Sequence, residues 1–123
     1  TALAVSKMLE MVVQPGGTAP LAQISGYRVA GKTGTSHKLE GNGYAKDRYI
    51  ATFVGYAPVS KPRLIIAVML DEPSAGQYFG GTVAAPVFSQ VMVGALRILN
   101  VPHDAPINNL VLSPTIPELK GDV

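Results

Sequence analysis

The chain has 123 residues, 47% of them apolar and 15% charged, with a net charge of +2. That is enough for one packed domain, and the small basic excess, with no run of basic residues interleaved with aromatics, argues against nucleic acid or a membrane surface as a partner. There is no cysteine, which excludes disulfides, thiolate metal sites and a cysteine nucleophile, and the two histidines are far apart, so neither a metal nor another cofactor is expected.

In chain order, Ala4, Met8, Met11 and Val12 recur at helical spacing, with Ser6, Lys7, Glu10 and Gln14 on the other side. This predicts an amphipathic helix, ended by Pro15-Gly16-Gly17. The chain opens without methionine and already in this helical pattern, so it is expected to be a portion of a longer protein. Residues 18–25 read as a connector. Tyr27 to Thr33 reads as a strand, and Ser36 to Asp47 as a polar loop with its tip at Gly41-Asn42-Gly43. Arg48 to Ala57 is rich in β-branched and aromatic residues and predicts a second strand. Pro58 to Pro62 is a tight connection, and Arg63 to Leu70 a third strand.

The longest apolar run, Leu64 to Leu70, shows little alternation, which predicts a strand covered on both faces. It is far short of the roughly 20 residues that cross a bilayer. Asp71 to Gly81 is a glycine-rich loop carrying Tyr78 and Phe79. Thr82 to Leu99 predicts a second helix, with Pro86 tolerated in its first turn. Its apolar stripes, Val87-Val91-Ala95-Ile98 and Phe88-Met92-Leu96-Leu99, predict that most of it is buried. Met8, Met11, Met69 and Met92 all fall at expected core positions.

After Asn100 the chain holds four prolines and no period; residues 102–123 read as an irregular tail, in which Leu110-Val111-Leu112 is the one candidate strand. The expected fold is α+β: a three-stranded antiparallel sheet flanked by an N-terminal and a C-terminal helix, over residues 1–101.

Residues 26–35, GYRVAGKTGT, match two functional patterns. Gly26 to Thr33 fits the phosphate-loop pattern G-x-x-x-x-G-K-[ST]. That loop needs a strand before its first glycine and a helix after its lysine; here Tyr27 to Ala30 look like strand, and a turn-rich segment follows Thr33. The alternative is the Lys-Thr-Gly element of serine acyl-transfer enzymes that react with penicillin. A lysine supplies a positive field for a substrate carboxylate and helps a neighbouring hydroxyl lose its proton. Hydroxyls at Thr33 and Thr35 can bind the same carboxylate, and Gly34 lets a substrate backbone approach the strand. Lys32 and Thr33 point to opposite faces of a pleat, so a site using both must lie along the strand's edge.

The set GYRVAGKTGT, RYIATFVGYAP, DEP, YFGG and APVF, in that order and preceded by QPGGTA, resembles the C-terminal part of the transpeptidase domain of class B penicillin-binding proteins, most closely the division-specific FtsI type (penicillin-binding protein 3). The likeness runs from about Thr1 to Pro102. It implies a fragment of the penicillin-binding-protein and β-lactamase-like fold, and a parent enzyme that cross-links peptidoglycan stem peptides ending in D-Ala-D-Ala, is acylated by β-lactams, works with the division machinery and sits on the periplasmic face of the bacterial inner membrane. Carried onto this sequence, the resemblance makes Lys32 and Thr35 catalytic, the backbone N–H of Thr35 being an oxyanion donor. It assigns Thr33, Gly34, Thr35, Tyr78, Phe79 and Gly80, with Gly81 beside them, to substrate binding.

The sequence also departs from the family. The family's Ser-x-x-Lys nucleophile motif and its Ser-x-Asn motif do not occur here. The 123 residues are therefore expected to be inactive alone, and an open sheet edge is expected to favour self-association. A D-Ala-D-Ala carboxypeptidase, a β-lactamase relative and a non-catalytic binding module remain alternatives. His37 reads as a solvated loop residue and His103 as incidental. Asp71-Glu72 reads as a charged strand end rather than a catalytic carboxylate pair.

Overall fold

The computed structural model describes residues 1–111. The elements are α1 (Ala2–Met11), a short 3-10 turn (Pro20–Ala22), β1 (Ala30–Glu40), β2 (Gly43–Ala57), β3 (Leu64–Asp71), α2 (Gly80–Val83) and α3 (Ala85–Ile98). The strands form one antiparallel sheet in the order β1-β2-β3, as short connections favour. The chain is thus α+β, with the expected three-stranded sheet.

One sheet face is covered by α3. Phe53 in β2 meets Phe88 edge to face at a centroid distance of 4.8 Å, and Met92 and Leu96 lie on the same helical stripe, all fully buried. Alternate β3 residues, Leu64, Ile66, Val68 and Leu70, pack against this core. The other β3 residues face outward, Ile65 and Met69 at 74% and 70% exposure. The expectation that β3 is covered on both faces is therefore corrected: among the described residues only its inward face is covered, and Ile65, Ala67 and Met69 of the outward face are all exposed. The same limit applies to the helices. α3 buries only Ala85, Phe88, Met92 and Leu96, while Val87, Val91, Ile98 and Leu99 are exposed. α1 has no buried residue, and Met8 and Met11 are exposed with Met69, so Met92 alone of the four methionines is a core residue.

The strand boundaries also shift. Tyr27 to Val29 precede β1 instead of opening it. Gly26 sits at φ +83°, and Ile24 and Tyr27 form an isolated bridge. Continuing the register past Ala30↔Tyr56 would bring Pro58 into the ladder, where it has no N–H to give. At the other end, the polar loop expected over residues 36–47 is a two-stranded ribbon turning at Gly41, φ +58°. Its pairing continues from Ser36↔Ile50 to Glu40↔Gly43, with a bulge between His37 and Leu39. Ion pairs reinforce it: Lys38 with Asp71 at 3.0 Å and Arg48 with Glu40 at 2.6 Å. The hydrogen bond to Asp71 raises the Lys38 ammonium above its ordinary value. Asp71 and Glu72 are thus ion-paired at a strand end, as read from sequence.

After α3 the backbone is irregular but tied to the body. The Tyr27 hydroxyl donates to the Val101 carbonyl at 2.6 Å, and His103 packs edge-on against Tyr27 at 4.8 Å, a fixed contact where the sequence offered only an incidental residue. The Asp104 carboxylate accepts from the Arg28 N–H (2.7 Å), the Ser60 N–H (3.1 Å) and the Ser60 hydroxyl (2.6 Å). Asn109 accepts from the Gly26 N–H and donates to the carbonyls of Ile24 and Tyr27. Leu110 and Val111 belong to no strand; Leu112 lies outside the described residues.

Candidate active site

β1 is an edge strand, hydrogen-bonded only to β2 among the described residues, and it carries Lys32-Thr33-Gly34-Thr35 as four consecutive residues. The pleat turns Thr33, Thr35 and His37 toward the face of Phe53 and Tyr49, and Lys32 and Gly34 toward the other face. Lys32 does not follow its face outward. Its ammonium curls back and donates to the Thr33 carbonyl at 2.8 Å, so the positive charge is held along the strand.

Each hydroxyl has a partner from outside β1. Thr33 Oγ1 lies 3.1 Å from Thr18 Oγ1, and Thr35 Oγ1 accepts from the Gly80 N–H at 3.1 Å. Gly80 and Gly81 permit this approach. A Cβ on Gly80 would fall on the Thr52 carbonyl and lie 2.7 Å from the Gly34 carbonyl, and one on Gly81 would fall on the Thr18 carbonyl. The absence of a Cβ at Gly34 serves a neighbour as well, since the space on its face is taken by the Thr52 hydroxyl.

Beside Thr35 the sheet face becomes aromatic. Tyr78 stacks on Tyr49 at 3.9 Å and 9°, Phe79 touches Tyr78 at 4.5 Å, and His37 packs on Tyr49 at 4.6 Å. Phe79 remains 58% exposed. Desolvation raises the Tyr49 phenol above its ordinary value. His37, read as a loop residue, sits within β1, its Nδ1 2.8 Å from the Ala45 carbonyl. The structure therefore places Lys32, Thr33, Gly34 and Thr35 on one stretch of β1, with Gly80 bonded to Thr35 and Tyr78 and Phe79 over Tyr49 of the neighbouring β2. It adds three residues that the sequence reading left out: Thr18, Tyr49 and Thr52. Thr18 lay inside a quoted motif, QPGGTA, but read as connector; Tyr49 and Thr52 read as ordinary strand residues.

Residues 1–93 match the family described as the penicillin binding protein transpeptidase domain. The chain belongs to that family. Among its relatives, it is 43% identical over 109 residues to the probable peptidoglycan D,D-transpeptidase PenA of Neisseria flavescens, covering 89% of this chain and 27% of PenA. It is 48% identical over 109 residues to the probable peptidoglycan D,D-transpeptidase PbpC of Pseudomonas aeruginosa, covering 89% and 19%. It is 47% identical over 98 residues to the peptidoglycan D,D-transpeptidase FtsI of Escherichia coli K12, covering 80% and 17%. The apo transpeptidase domain of penicillin-binding protein 3 from Burkholderia pseudomallei superposes with a TM-score of 0.74 at 52% identity, covering 83% of this chain and 31% of that one. The chain thus spans between a sixth and somewhat over a quarter of the curated relatives it matches.

Proposed function

We propose that these residues are the C-terminal portion of a peptidoglycan D,D-transpeptidase and supply the carboxylate-binding and oxyanion edge of its active site. The observation that carries this reading is the Lys32-Thr33-Gly34-Thr35 edge, with its ammonium drawn in to the strand and both hydroxyls engaged. The nucleophile is a serine outside these 123 residues. It attacks the carbonyl of the penultimate D-alanine of a stem peptide and releases the last D-alanine. The acyl group then passes to an amine of a neighbouring strand. A β-lactam imitates the D-Ala-D-Ala end and stops at the acyl stage.

In this reading, Lys32 provides the cationic field, and the hydroxyls of Thr33 and Thr35 bind the terminal carboxylate. The Thr35 N–H is one of two oxyanion donors. Antiparallel edge strands turn the backbone groups of residues i and i+2 to the same side. The Lys32 contact sits at the Thr33 carbonyl, so Thr35 presents its N–H along that same open edge. Tyr78 and Phe79 wall the site. The parent acts on the periplasmic face of the inner membrane with the division machinery; among the described residues no helix is long and apolar enough to cross a membrane. Fluorescent penicillin, read by intact mass, tests the reading. The parent polypeptide gains one adduct and these 123 residues gain none. Absence of an adduct on a folded parent would overturn the reading in favour of a non-catalytic binding module.

The outer edge of β3 bears on the isolated chain. Pairing two copies antiparallel about Ala67 sets Ile65 against Met69 and Arg63 against Asp71, apolar with apolar and cation with anion. The 123-residue chain is expected to be dimeric by light scattering, with Ala67→Lys shifting it to monomer. A wild-type monomer at high micromolar concentration would overturn this.

A further inference from the structure

Thr18 belongs to no helix or strand, yet it is the side-chain partner of a hydroxyl in the proposed carboxylate site. Its Oγ1 lies 3.1 Å from Thr33 Oγ1. Its position is set from both sides. The Gly81 backbone lies directly against its carbonyl, with no room for a Cβ. The next residue, Ala19, is fully buried and donates its N–H to the Val12 carbonyl at 2.9 Å. Thr18 is thus held against β1 by backbone packing rather than by the chance reach of a surface side chain.

A hydroxyl has one proton and two lone pairs. To bind a carboxylate, the Thr33 hydroxyl must spend its proton on that carboxylate, and any other neighbour must then donate to it. Thr35 already meets this condition, because the Gly80 N–H can only donate. Among the described residues, Thr18 is the one hydrogen-bond neighbour of the Thr33 hydroxyl and can do the same for it. Resting on the transpeptidase reading above, we infer that Thr18 is a positioning residue: it donates its hydroxyl proton to Thr33 Oγ1 and so turns the Thr33 O–H toward the carboxylate of the substrate or β-lactam. Thr18 and Gly80 then act alike, one from the connector and one from α2, and both motif hydroxyls are preset as donors to an anion before it arrives. This ordering also removes the competing arrangement in which Thr33 gives its proton to Thr18 and offers the carboxylate only lone pairs.

The test uses the parent polypeptide and compares acylation by a penicillin with acylation by its methyl ester, which lacks the anion. Thr18→Val removes the hydroxyl at nearly constant volume. It is expected to lower the acid-to-ester ratio of acylation rates about five-fold, the scale of one net hydrogen bond. The melting temperature should stay at the wild-type value, and Thr18→Ser should restore the ratio. Thr18→Ala carries the same comparison if the valine methyl perturbs packing. A general structural role would lower both rates together and leave the ratio unchanged, which overturns the inference, as does an unchanged acid rate. A wild-type parent that reacts with neither compound overturns the transpeptidase reading itself, and the inference with it; the two failures are therefore distinct.

Discussion

Phe53→Ala lowers the unfolding free energy of this chain by about 3–5 kcal/mol, the range for emptying an aromatic core site. Phe53 is fully buried at the middle of β2, opposite Thr33 in the register, and its ring meets Phe88 of α3 at 4.8 Å. Two glycines are shaped around it. A Cβ on Gly31 would fall on the ring tip, and one on Gly55 would lie 2.8 Å from both Phe53 Cε1 and Phe88 Cζ. The glycine backbones cannot move in to refill the space, so the cavity persists and the cost lies at the upper end of the range. A domain of this size has roughly 5–15 kcal/mol in total, so the variant keeps only a small margin. Urea unfolding followed by circular dichroism measures the loss. Tyr44→Ala, on an exposed ribbon residue, is the control and should change stability by no more than about 0.5 kcal/mol. A loss below about 1 kcal/mol for Phe53→Ala would mean that the α3 layer does not rest on this ring.

Lys32→Ala in the parent polypeptide is expected to slow penicillin acylation about 10²–10³-fold, the scale for removing one preorganised charge-stabilising group from an active site. Lys32 is exposed and, among the described residues, the one hydrogen bond of its side chain runs to the adjacent Thr33 carbonyl, so the melting temperature should hold within the error of the measurement. That separates a role in chemistry from a role in folding. Lys32→Arg keeps the charge but replaces a compact ammonium with a planar fork, and is expected to recover only part of the rate. Stopped-flow or quenched labelling at several penicillin concentrations gives the acylation constant. A fall of less than three-fold for Lys32→Ala would remove Lys32 from the proposed mechanism.

The order of elements was readable because β2, β3 and α3 carry their core residues at the period of their own geometry: Phe53 among β-branched neighbours, Phe88-Met92-Leu96 at helical spacing. Where the second layer is absent, periodicity misleads. Met8, Met11 and Met69 look like core by pattern and stand exposed, because an apolar stripe is buried only when something lies against it. The ribbon over residues 36–47 was hidden for the opposite reason. Among the described residues it buries only Ala45, so no alternation is needed, and its pairing rests on backbone hydrogen bonds and on ion pairs such as Arg48 with Glu40. The site divides in the same way. Lys32 to Thr35 are contiguous and legible as a motif. Thr18, Tyr49 and Thr52 join them only through a close approach of glycines and through strand register, and neither can be read from a local window.

The bonds from Asp104 and Asn109 to Arg28, Ser60, Gly26, Ile24 and Tyr27 bear on where this unit can be cut or fused. A chain shortened after α3 would leave the amides of Gly26 and Arg28, on the segment that leads into β1, and of Ser60, in the connection between β2 and β3, without their acceptors. For grafting, reporter fusion or fragment screening, the practical C-terminal boundary therefore falls beyond Asn109 and not at the last helical residue. The Gly41 turn of the ribbon, by contrast, has open space around it and is the place where an inserted peptide would disturb the site least.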